Sequence, residues 1–400
     1  MQSKTRKRIL MLLENNTYTE DIRVRQEAEA LFAAGFHVTV ICPGKPFHDV
    51  VEGVSVYRFP NPPNGNGVIG YLLEYGYSML AVFALSLFVL LRQGFDVIHA
   101  HNPPDTFALI GLFYKLFGKR FVFDQHDLSP ELFAYARFSE NHNTMIYKVL
   151  VWFESFSYRV ANRVIVTNES YRKISTERSG IDTTKVSIVR NGPDLLHFSC
   201  LPPVEHEPQN GIIQIAYMGV IGYQDGVDNL IRALYHLKTD FQKTNFRCVI
   251  MGKGLAFDLA TSLVKELNLQ AYVSFAGWMR QPQIAEVMKT VDICVAPEPS
   301  NPYNDASTII KLMEYMAYCK PVVAYDLPEH RVTAGDSVLY ARANDCRDYA
   351  AQIARLMENG ELRRELGERG RQRIESTYAW QYQAKALVTA YEQLLTNAQS

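Results

Sequence analysis

No charge of one sign dominates this chain: 41 lysines and arginines stand against 42 aspartates and glutamates, for a formal net charge of -1. A protein that holds nucleic acid by neutralising phosphates is therefore not expected, a local basic patch apart. The six cysteines, at 42, 200, 248, 294, 319 and 346, form no CxxC pair and sit mostly inside apolar runs. They read as buried free thiols in a reducing compartment. No GxGxxG occurs, and the first strand-to-helix turn, "LENNTYTEDIRV", has no glycine, which argues against a nicotinamide or flavin site there. The N-terminal apolar stretch, Ile9 to Leu13, is too short for the core of a signal peptide and reads as a first buried strand. There is no sequence repeat and no compositional sign of long disorder.

Long hydrophobic runs are also scarce. The one that stands out is "YGYSMLAVFALSLFVLL", Tyr75 to Leu91, which has no charge and is bracketed by Glu74 and Arg92. It falls short of the roughly 20 residues that span a bilayer, so a buried or interfacial helix is expected, with surface attachment left open.

What is present is ample core material: 48% hydrophobic and 21% charged residues over 400 positions, enough for two domains. Short β-branched runs alternate with helix-length amphipathic segments throughout. "RILMLLE", "HVTVICP", "DVIHAH" and "RFVFDQ" are among those in the first half, "IIQIAYMG", "FRCVIMG", "DICVAP" and "PVVAYD" among those in the second. Such alternation specifies parallel sheets covered by helices. "CLPPVEHEPQNG", Cys200 to Gly211, is the candidate linker. The expected organisation is an α/β chain of two Rossmann-like doubly wound domains facing across a cleft. The first covers residues 1–198 and the second 199–375. A C-terminal helical segment, 376–400, is expected to pack back on the first domain. In such sheets ligands lie at the carboxyl ends of the strands.

Several strand-to-helix loops carry candidate chemistry. "AYMGVIGYQDGVDNLIRAL" holds Gly219, Gly222 and Gly226, which let backbone approach a phosphate at a helix start, or simply make the turn. "VIMGKGLAF" places Lys253 between Gly252 and Gly254. "FVFDQHDLSPEL" puts His126 between Asp124 and Asp127, as a sugar-hydroxyl network would use; the alternative is a helix start capped by Asp127 or Ser129 with Pro130 at its first position. His99 and His101 share a strand face with no third ligand nearby in sequence, so no metal is expected there. In "NDASTIIKLMEYMAYCKPVVAYD", a helix stopped by Pro321 would carry Ser307, Lys311 and Glu314 on one face, opposite Ile309, Leu312, Met313 and Met316. That face is either a solvated stripe with a Lys311–Glu314 ion pair or the floor of a ligand site.

The combination of "KLMEYMAYCKPVVAYD", "VRNGPD" and "HDLSPEL" resembles the retaining GT-B fold glycosyltransferases of family 4, also termed glycosyl transferases group 1. The likeness runs over essentially the whole chain, with "EYMAYCKPVVA" its most specific part. It implies transfer of a hexosyl or N-acetylhexosaminyl group from a nucleotide diphosphate sugar, with a UDP-sugar the first choice, to a glycan or lipid-linked acceptor in cell-surface polysaccharide synthesis. The donor would sit on the C-terminal domain and the acceptor on the N-terminal one. By the resemblance, Glu314 holds the ribose hydroxyls, since a carboxylate offers two acceptor oxygens to a vicinal diol. Amides near Ser307 and Thr308 meet the diphosphate or the sugar, Gly277 and Trp278 lie near the base, and His126 stands close to the reacting centre. No cofactor and no metal are implied, the nucleotide sugar being a co-substrate.

The chain also departs from the family pattern. Where the motif has a second glutamate eight positions before Glu314, this chain has Ala306, with Asp305 beside it. Where the glycine loop carries an arginine and a lysine for the diphosphate, it has Val220 and Asp225. A departing diphosphate needs its charge stabilised, so Lys311, Lys253, Arg280 and helix amides are the expected substitutes. Loss of the two cations also motivates an alternative, a catalytically silent GT-B module that binds a sugar nucleotide or a partner. An epimerase or phosphorylase on the same fold rests on fold analogy alone. For the acceptor, Asn15, Asn16, Thr17 and Asp21 in the first loop are candidates, with ordinary turn and N-cap chemistry as the alternative. A cytoplasmic protein, peripheral on the cytoplasmic face of the membrane through Tyr75 to Leu91, completes the expectation.

Overall fold

The structure, a computed structural model, describes residues 6–45, 48–62, 67–138, 145–198 and 211–396. Two compact units emerge: Met1–Phe133, Asn141–Arg190 and Gln383–Ser400 form one, and Ala134–Glu140 with Asn191–Tyr382 the other. The linker expected at Cys200 to Gly211 lies, but for Gly211, outside the described residues.

In the first unit, strands β1 (Arg8–Leu12), β2 (His37–Pro43), β3 (His48–Val51), β4 (Val54–Phe59), β5 (Val97–His101), β6 (Arg120–Gln125), β7 (Arg163–Val166) and β8 (Val186–Ile188) form one sheet in the order β3-β4-β2-β1-β5-β6-β7-β8. Only the β3–β4 pair is antiparallel. Central strands such as β1 and β5 are buried over nearly their whole length, which is why they read as apolar runs rather than alternating ones. The helices are α1 (Ile22–Ala33), α2 (Gly67–Arg92), α3 (Phe107–Lys115), α4 (Ser129–Leu132), α5 (Met145–Val160) and α6 (Glu169–Ser179). Right-handed crossovers send α1 to one face of the sheet and α2, α3 and α5 to the other. Phe83 of α2 meets Phe113 of α3 edge-on at 5.1 Å, and Lys115 Nζ at the end of α3 donates to the Val160 carbonyl of α5 at 2.6 Å.

Helix α2 is longer than the uncharged run that announced it. It has 26 residues, and Leu73–Arg92 is long and apolar enough to cross a bilayer by length and composition. It nevertheless makes inward polar contacts: Ser78 Oγ donates to Glu14 Oε1 in the loop after β1 at 2.9 Å, and Ser86 Oγ bonds the Tyr114 hydroxyl of α3 at 2.8 Å.

The second unit holds β9 (Ile213–Met218), β10 (Phe246–Met251), β11 (Val273–Gly277), β12 (Ile293–Ala296), β13 (Val322–Tyr325) and β14 (Leu339–Ala341), all parallel, in the order β11-β10-β9-β12-β13-β14. Its helices are α7 (Val227–Thr239), α8 (Phe257–Glu266), α9 (Gln281–Met288), α10 (Pro302–Ala306), α11 (Ile310–Ala317), α12 (Pro328–Ala334), α13 (Cys346–Glu358) and α14 (Gly360–Arg373). A π-helical turn, Ile374–Tyr378, marks the expected break before the last helix, α15 (Trp380–Thr396). The strand order reverses between β9 and β12, so the loops after these two strands diverge and leave a crevice at their carboxyl ends.

Two apolar cores flank this sheet. One gathers Ile215, Tyr217, Leu230, Leu234, Ile250 and Tyr349; the other gathers Met218, Cys294, Leu312, Tyr315, Met316 and Ile374. Cys42, Cys248, Cys294 and Cys346 are free, but Cys319 is disulfide-bonded, so the expectation of free thiols fails there.

Tyr315 fastens α11 to the sheet, because its hydroxyl accepts the Met218 N–H at 2.8 Å inside the core. Tyr315→Phe keeps the ring and strands that amide, so urea denaturation should show a loss of about 1–2 kcal/mol without a change in slope.

Candidate functional site

The carboxyl ends of β9, β10 and β11 are knitted together by backbone. Gly219 N–H donates to the Met251 carbonyl at 3.0 Å, Ile221 N–H to Lys253 at 3.0 Å, and Gly252 N–H to Gly277 at 2.8 Å. Glycine is required for this proximity at two points. A Cβ on Gly252, at φ +150°, would lie 1.8 Å from the Gly219 oxygen; one on Gly226, at φ +67°, would lie 2.1 Å from the Pro297 oxygen. From the β12 side, Asn304 Nδ2 donates to the Gln224 and Pro299 carbonyls at 2.9 and 2.8 Å. The sequence candidates Gly219, Gly222, Gly252, Lys253, Gly277, Trp278 and Arg280 therefore share one edge of the sheet. Trp278 is 70% exposed there. Lys253 and Arg280 are exposed cations with no ion pair among the described residues.

Helix α11 is shorter at its start than the sequence suggested. Its N-cap is Ile309, while Ser307 closes the preceding helix α10 and donates from Oγ to the Tyr303 carbonyl at 2.7 Å. Ser307 and Thr308 thus lie ahead of α11, and the proposed stripe of three residues reduces to Lys311 and Glu314. The physical reason is Asn301, whose side chain caps α10 and turns the chain before α11 begins. Asp305 does not stand ready as a free acid either, since its Oδ2 accepts Ser300 Oγ at 3.0 Å.

Lys311 is not the free cation expected of it. Its Nζ lies 2.7 Å from Glu298 Oε1, 2.9 Å from Asp225 Oδ1 and 2.8 Å from the Tyr217 hydroxyl, and the residue is buried. Burial opposes its charge, but Asp225 and Glu298 hold the ammonium well above its ordinary range. The expected Lys311–Glu314 ion pair is replaced by these contacts. Glu298 and Tyr217 were missed from sequence because neither belongs to a motif; only a buried lysine's need for carboxylates could have pointed to them. Glu314 is half-buried and its carboxylate makes no hydrogen bond among the described residues. Burial raises its carboxyl to about 7, with Lys311 pulling the other way. It is an acceptor waiting for donors.

In the first unit, Asn102 organises the His126 loop from the neighbouring strand. Its Oδ1 accepts the His126 and Asp127 amides at 2.8 and 3.2 Å, and its Nδ2 donates to the Asp127 carbonyl at 2.7 Å. His126 keeps a buried Nδ1 with no hydrogen-bond partner among the described residues. Leu128, neither Asp127 nor Ser129, stands at the N-cap of α4, with Pro130 in the first turn. Of the acceptor candidates, Asp21 caps α1 by accepting the Val24 amide at 2.9 Å, and Asn16 Oδ1 accepts the Thr17 amide at 2.9 Å. Both do turn chemistry, while Asn15 is exposed.

Behind His126 lies an ionic cluster that sequence reading missed. Arg23 of α1 grips Asp124 with Nε at 2.9 Å and Nη2 at 2.7 Å, and reaches Glu27 at 3.0 Å. His101 Nδ1 is 3.0 Å from Asp124, and His99 Nε2 is 3.6 Å from both Asp124 and Glu27. Ligand-capable atoms of Glu27, His99, His101 and Asp124 all lie within 4.8 Å of one another, so the two imidazoles do have carboxylate neighbours that sequence distance concealed. Arg23 already supplies positive charge to both carboxylates, and a metal ion would have to compete with it. Burial lowers both imidazoles, His101 to about 3, so they are neutral at pH 7.

A family model described as glycosyl transferases group 1 matches residues 204–373, and one described as glycosyl transferase 4-like domain matches residues 21–192. A glycogen synthase of Mycobacterium tuberculosis is 24% identical over 391 residues, covering 92% of this chain and 89% of its own. Among solved structures, a sucrose-phosphate synthase from Thermosynechococcus elongatus superposes with a TM-score of 0.78 at 20% identity, covering 98% of this chain and all of that one. The Anabaena protein HepE, solved with UDP and glucose, superposes with a TM-score of 0.69 at 16% identity, covering 98% and 99%. These structural likenesses are likenesses of the GT-B fold.

Because Lys311 is the shared counter-charge of buried Glu298 and half-buried Asp225, Lys311→Met should cost about 3–5 kcal/mol in unfolding free energy without any ligand present. A denaturation midpoint equal to that of the unmodified protein would show that the cage carries no weight.

Proposed function

Since this chain belongs to the glycosyl transferases group 1 and is a glycosyltransferase of GT-B fold, we propose that it moves a sugar from a UDP-sugar to a glycan or lipid-linked acceptor with retention of configuration. The observation that carries this reading is the gathering, at one sheet edge, of close-packed glycine loops and two cations without an ion pair among the described residues, with the Glu314 carboxyl one helical turn beyond Lys311. HepE, solved with UDP and glucose, supports uridine as the base.

In this reading the diphosphate lies against the loop amides, with Lys253 and Arg280 supplying the positive charge that Val220 and Asp225 do not. Glu314 accepts the ribose hydroxyls, and Gly277 and Trp278 border the base. Ser307 and Thr308 border the sugar. His126, with its open ring nitrogen, is the candidate to contact the transferred sugar, and Asn15 and Thr17 the candidates to contact the acceptor. The bond between the anomeric carbon and the diphosphate oxygen breaks while the acceptor oxygen bonds the same face of that carbon. The acceptor's proton passes to the departing diphosphate. The protein works at the cytoplasmic side of a membrane in polysaccharide assembly.

A second reading, a silent module that binds a sugar nucleotide or a partner, is favoured by one observation: the net charge of Lys311, Asp225 and Glu298 together is negative beside the glycine loop. Calorimetry and nucleotide-release assays across uridine, guanosine and adenosine diphosphate sugars separate the two. Tight binding of one donor with slow hydrolysis, both lost in Glu314→Ala, is the transferase outcome; binding without turnover in the presence of acceptor extracts is the module outcome.

Two further outcomes follow from the charges. Lys253→Ala and Arg280→Ala should each weaken UDP binding by about tenfold while leaving uridine binding unchanged. The ribose hydroxyls need an ionised Glu314, and the free protein holds that carboxyl at about 7. Affinity for UDP-glucose, whose diphosphate takes up no proton in this range, should therefore fall by about tenfold from pH 8 to pH 6, and Glu314→Gln should abolish that slope.

A further inference from the structure

Helix α2 is apolar on the side it leaves open. Its buried stripe alternates Ser78, Val82, Ser86 and Val89, with the serines hydrogen-bonded inward, whereas its exposed stripe runs Leu73, Leu80, Phe88 and Leu91, the last 87% exposed. A surface helix of a water-soluble protein turns a polar face outward. Only 22% of the Leu73–Arg92 window is buried, so the apolar composition is not explained by a core position.

The exposed apolar surface does not stop at α2. Phe83 packs on Phe113, and beyond that contact α3 and the turn after it expose Leu112, Leu116 and Phe117. Helix α5, joined to α3 through Lys115 and the Val160 carbonyl, exposes Val149 and Trp152 on the same side of the sheet. Three neighbouring helices thus present apolar side chains to solvent together, well beyond the isolated residues that need no explanation. The charges on these helices are mostly basic. Exposed or half-buried Arg92, Lys115, Lys148 and Arg159 stand against a single acid, Glu74, because Glu154 is buried against Arg178; just beyond the helix ends, Lys119 and Arg120 outnumber Asp96. Most of these bases cluster where α2, α3 and α5 end.

We infer that the α2–α3–α5 face of the first unit docks on an anionic lipid bilayer, lying in the headgroup region with the basic ends of the helices against lipid phosphates. Apolar area and basic charge on one face are the two terms that bind a protein to such a surface. The helix lies on the membrane and does not cross it, since Ser78 and Ser86 hold its other side to Glu14 and to Tyr114 of α3. Ser78 also contacts Glu14, next to Asn15, so the helix itself borders the loop assigned to the acceptor. This inference deepens the reading of a lipid-linked acceptor and rests on it for its purpose, but its test does not depend on catalysis.

The full chain is floated with vesicles of phosphatidylcholine alone and of phosphatidylcholine with phosphatidylglycerol, at low and high salt. Binding to the mixed vesicles that exceeds binding to the neutral ones, and weakens with salt, is expected. Leu80→Glu combined with Leu116→Glu should reduce the floated fraction about tenfold, and Arg92→Glu with Lys119→Glu should remove the preference for anionic lipid. All four positions belong to the first unit and the glycine loops to the second, so UDP binding in solution should survive in both variants, and an unchanged thermal unfolding profile reports that the first unit is folded. Absence of flotation in every vesicle overturns the docking face while leaving donor binding to judge the transferase reading separately. A detergent-free dimer that Leu80→Glu dissociates, with no vesicle binding, overturns it in favour of a second copy of the chain on this face.

Discussion

The ammonium of Lys311 is the fixed point of the second unit. Taken out of water, a lone charge there would be prohibitively costly, and the structure answers with a hydroxyl from β9, a carboxylate from the glycine loop and a carboxylate from the β12 loop. Each partner comes from a different stretch of chain, so satisfying one charge sets the height of α11 against two strands and two loops. Glu314 lies one turn further along the same helix, and its half-buried position follows from that anchoring. The arrangement also has an electrostatic cost. One ammonium between two carboxylates leaves a negative remainder under the very loop whose amides suit an anion, which shifts the burden of charge to the outer cations Lys253 and Arg280.

The first unit uses a related device with an arginine at its centre. Arg23 joins α1 to Asp124 at the end of β6 and also donates to the Val189 carbonyl after β8. A guanidinium can do this because its planar fork offers several donors at fixed angles, which a lysine cannot match. Burial alone would raise the Asp124 carboxyl, but Arg23 and the two imidazoles draw it well below the usual carboxylate range. Glu27 goes the other way, raised by burial despite Arg23. Two acids that share one arginine in a dry site are thus pushed in opposite directions.

Much of the fold was legible because parallel strands buried on both faces leave unmistakable apolar runs, and because the strand-to-helix glycines mark the sheet edge. The glycine loops, Trp278, Arg280 and Glu314 could be assigned to one edge from order alone. The fate of Lys311 could not, since its partners Glu298 and Asp225 lie many residues away and carry no motif. Ser307 was misplaced for a local reason: a short capped helix interrupts what periodicity presents as one continuous turn. The ionic cluster around Arg23 was invisible because periodicity reports faces of single elements, not which faces meet. Helix α2 shows the same limit differently. Its composition announced an apolar helix, but only its packing reveals that the serines face inward and the leucines outward.

The last helix belongs to the unit that is made first. Tyr391 of α15 bonds His99 Nδ1 at 2.8 Å and packs on Phe36, and Gln383 accepts the Arg190 amide at 3.0 Å. On a ribosome these partners emerge only after residues 191–382 have been made, a delay of about 10–40 s at ordinary synthesis rates. Throughout that interval the first unit carries an open groove where α15 belongs, with a buried histidine and a backbone amide lacking their mates. The pace of translation across the second unit therefore sets how long a half-finished domain stays exposed to chaperones and to other nascent chains.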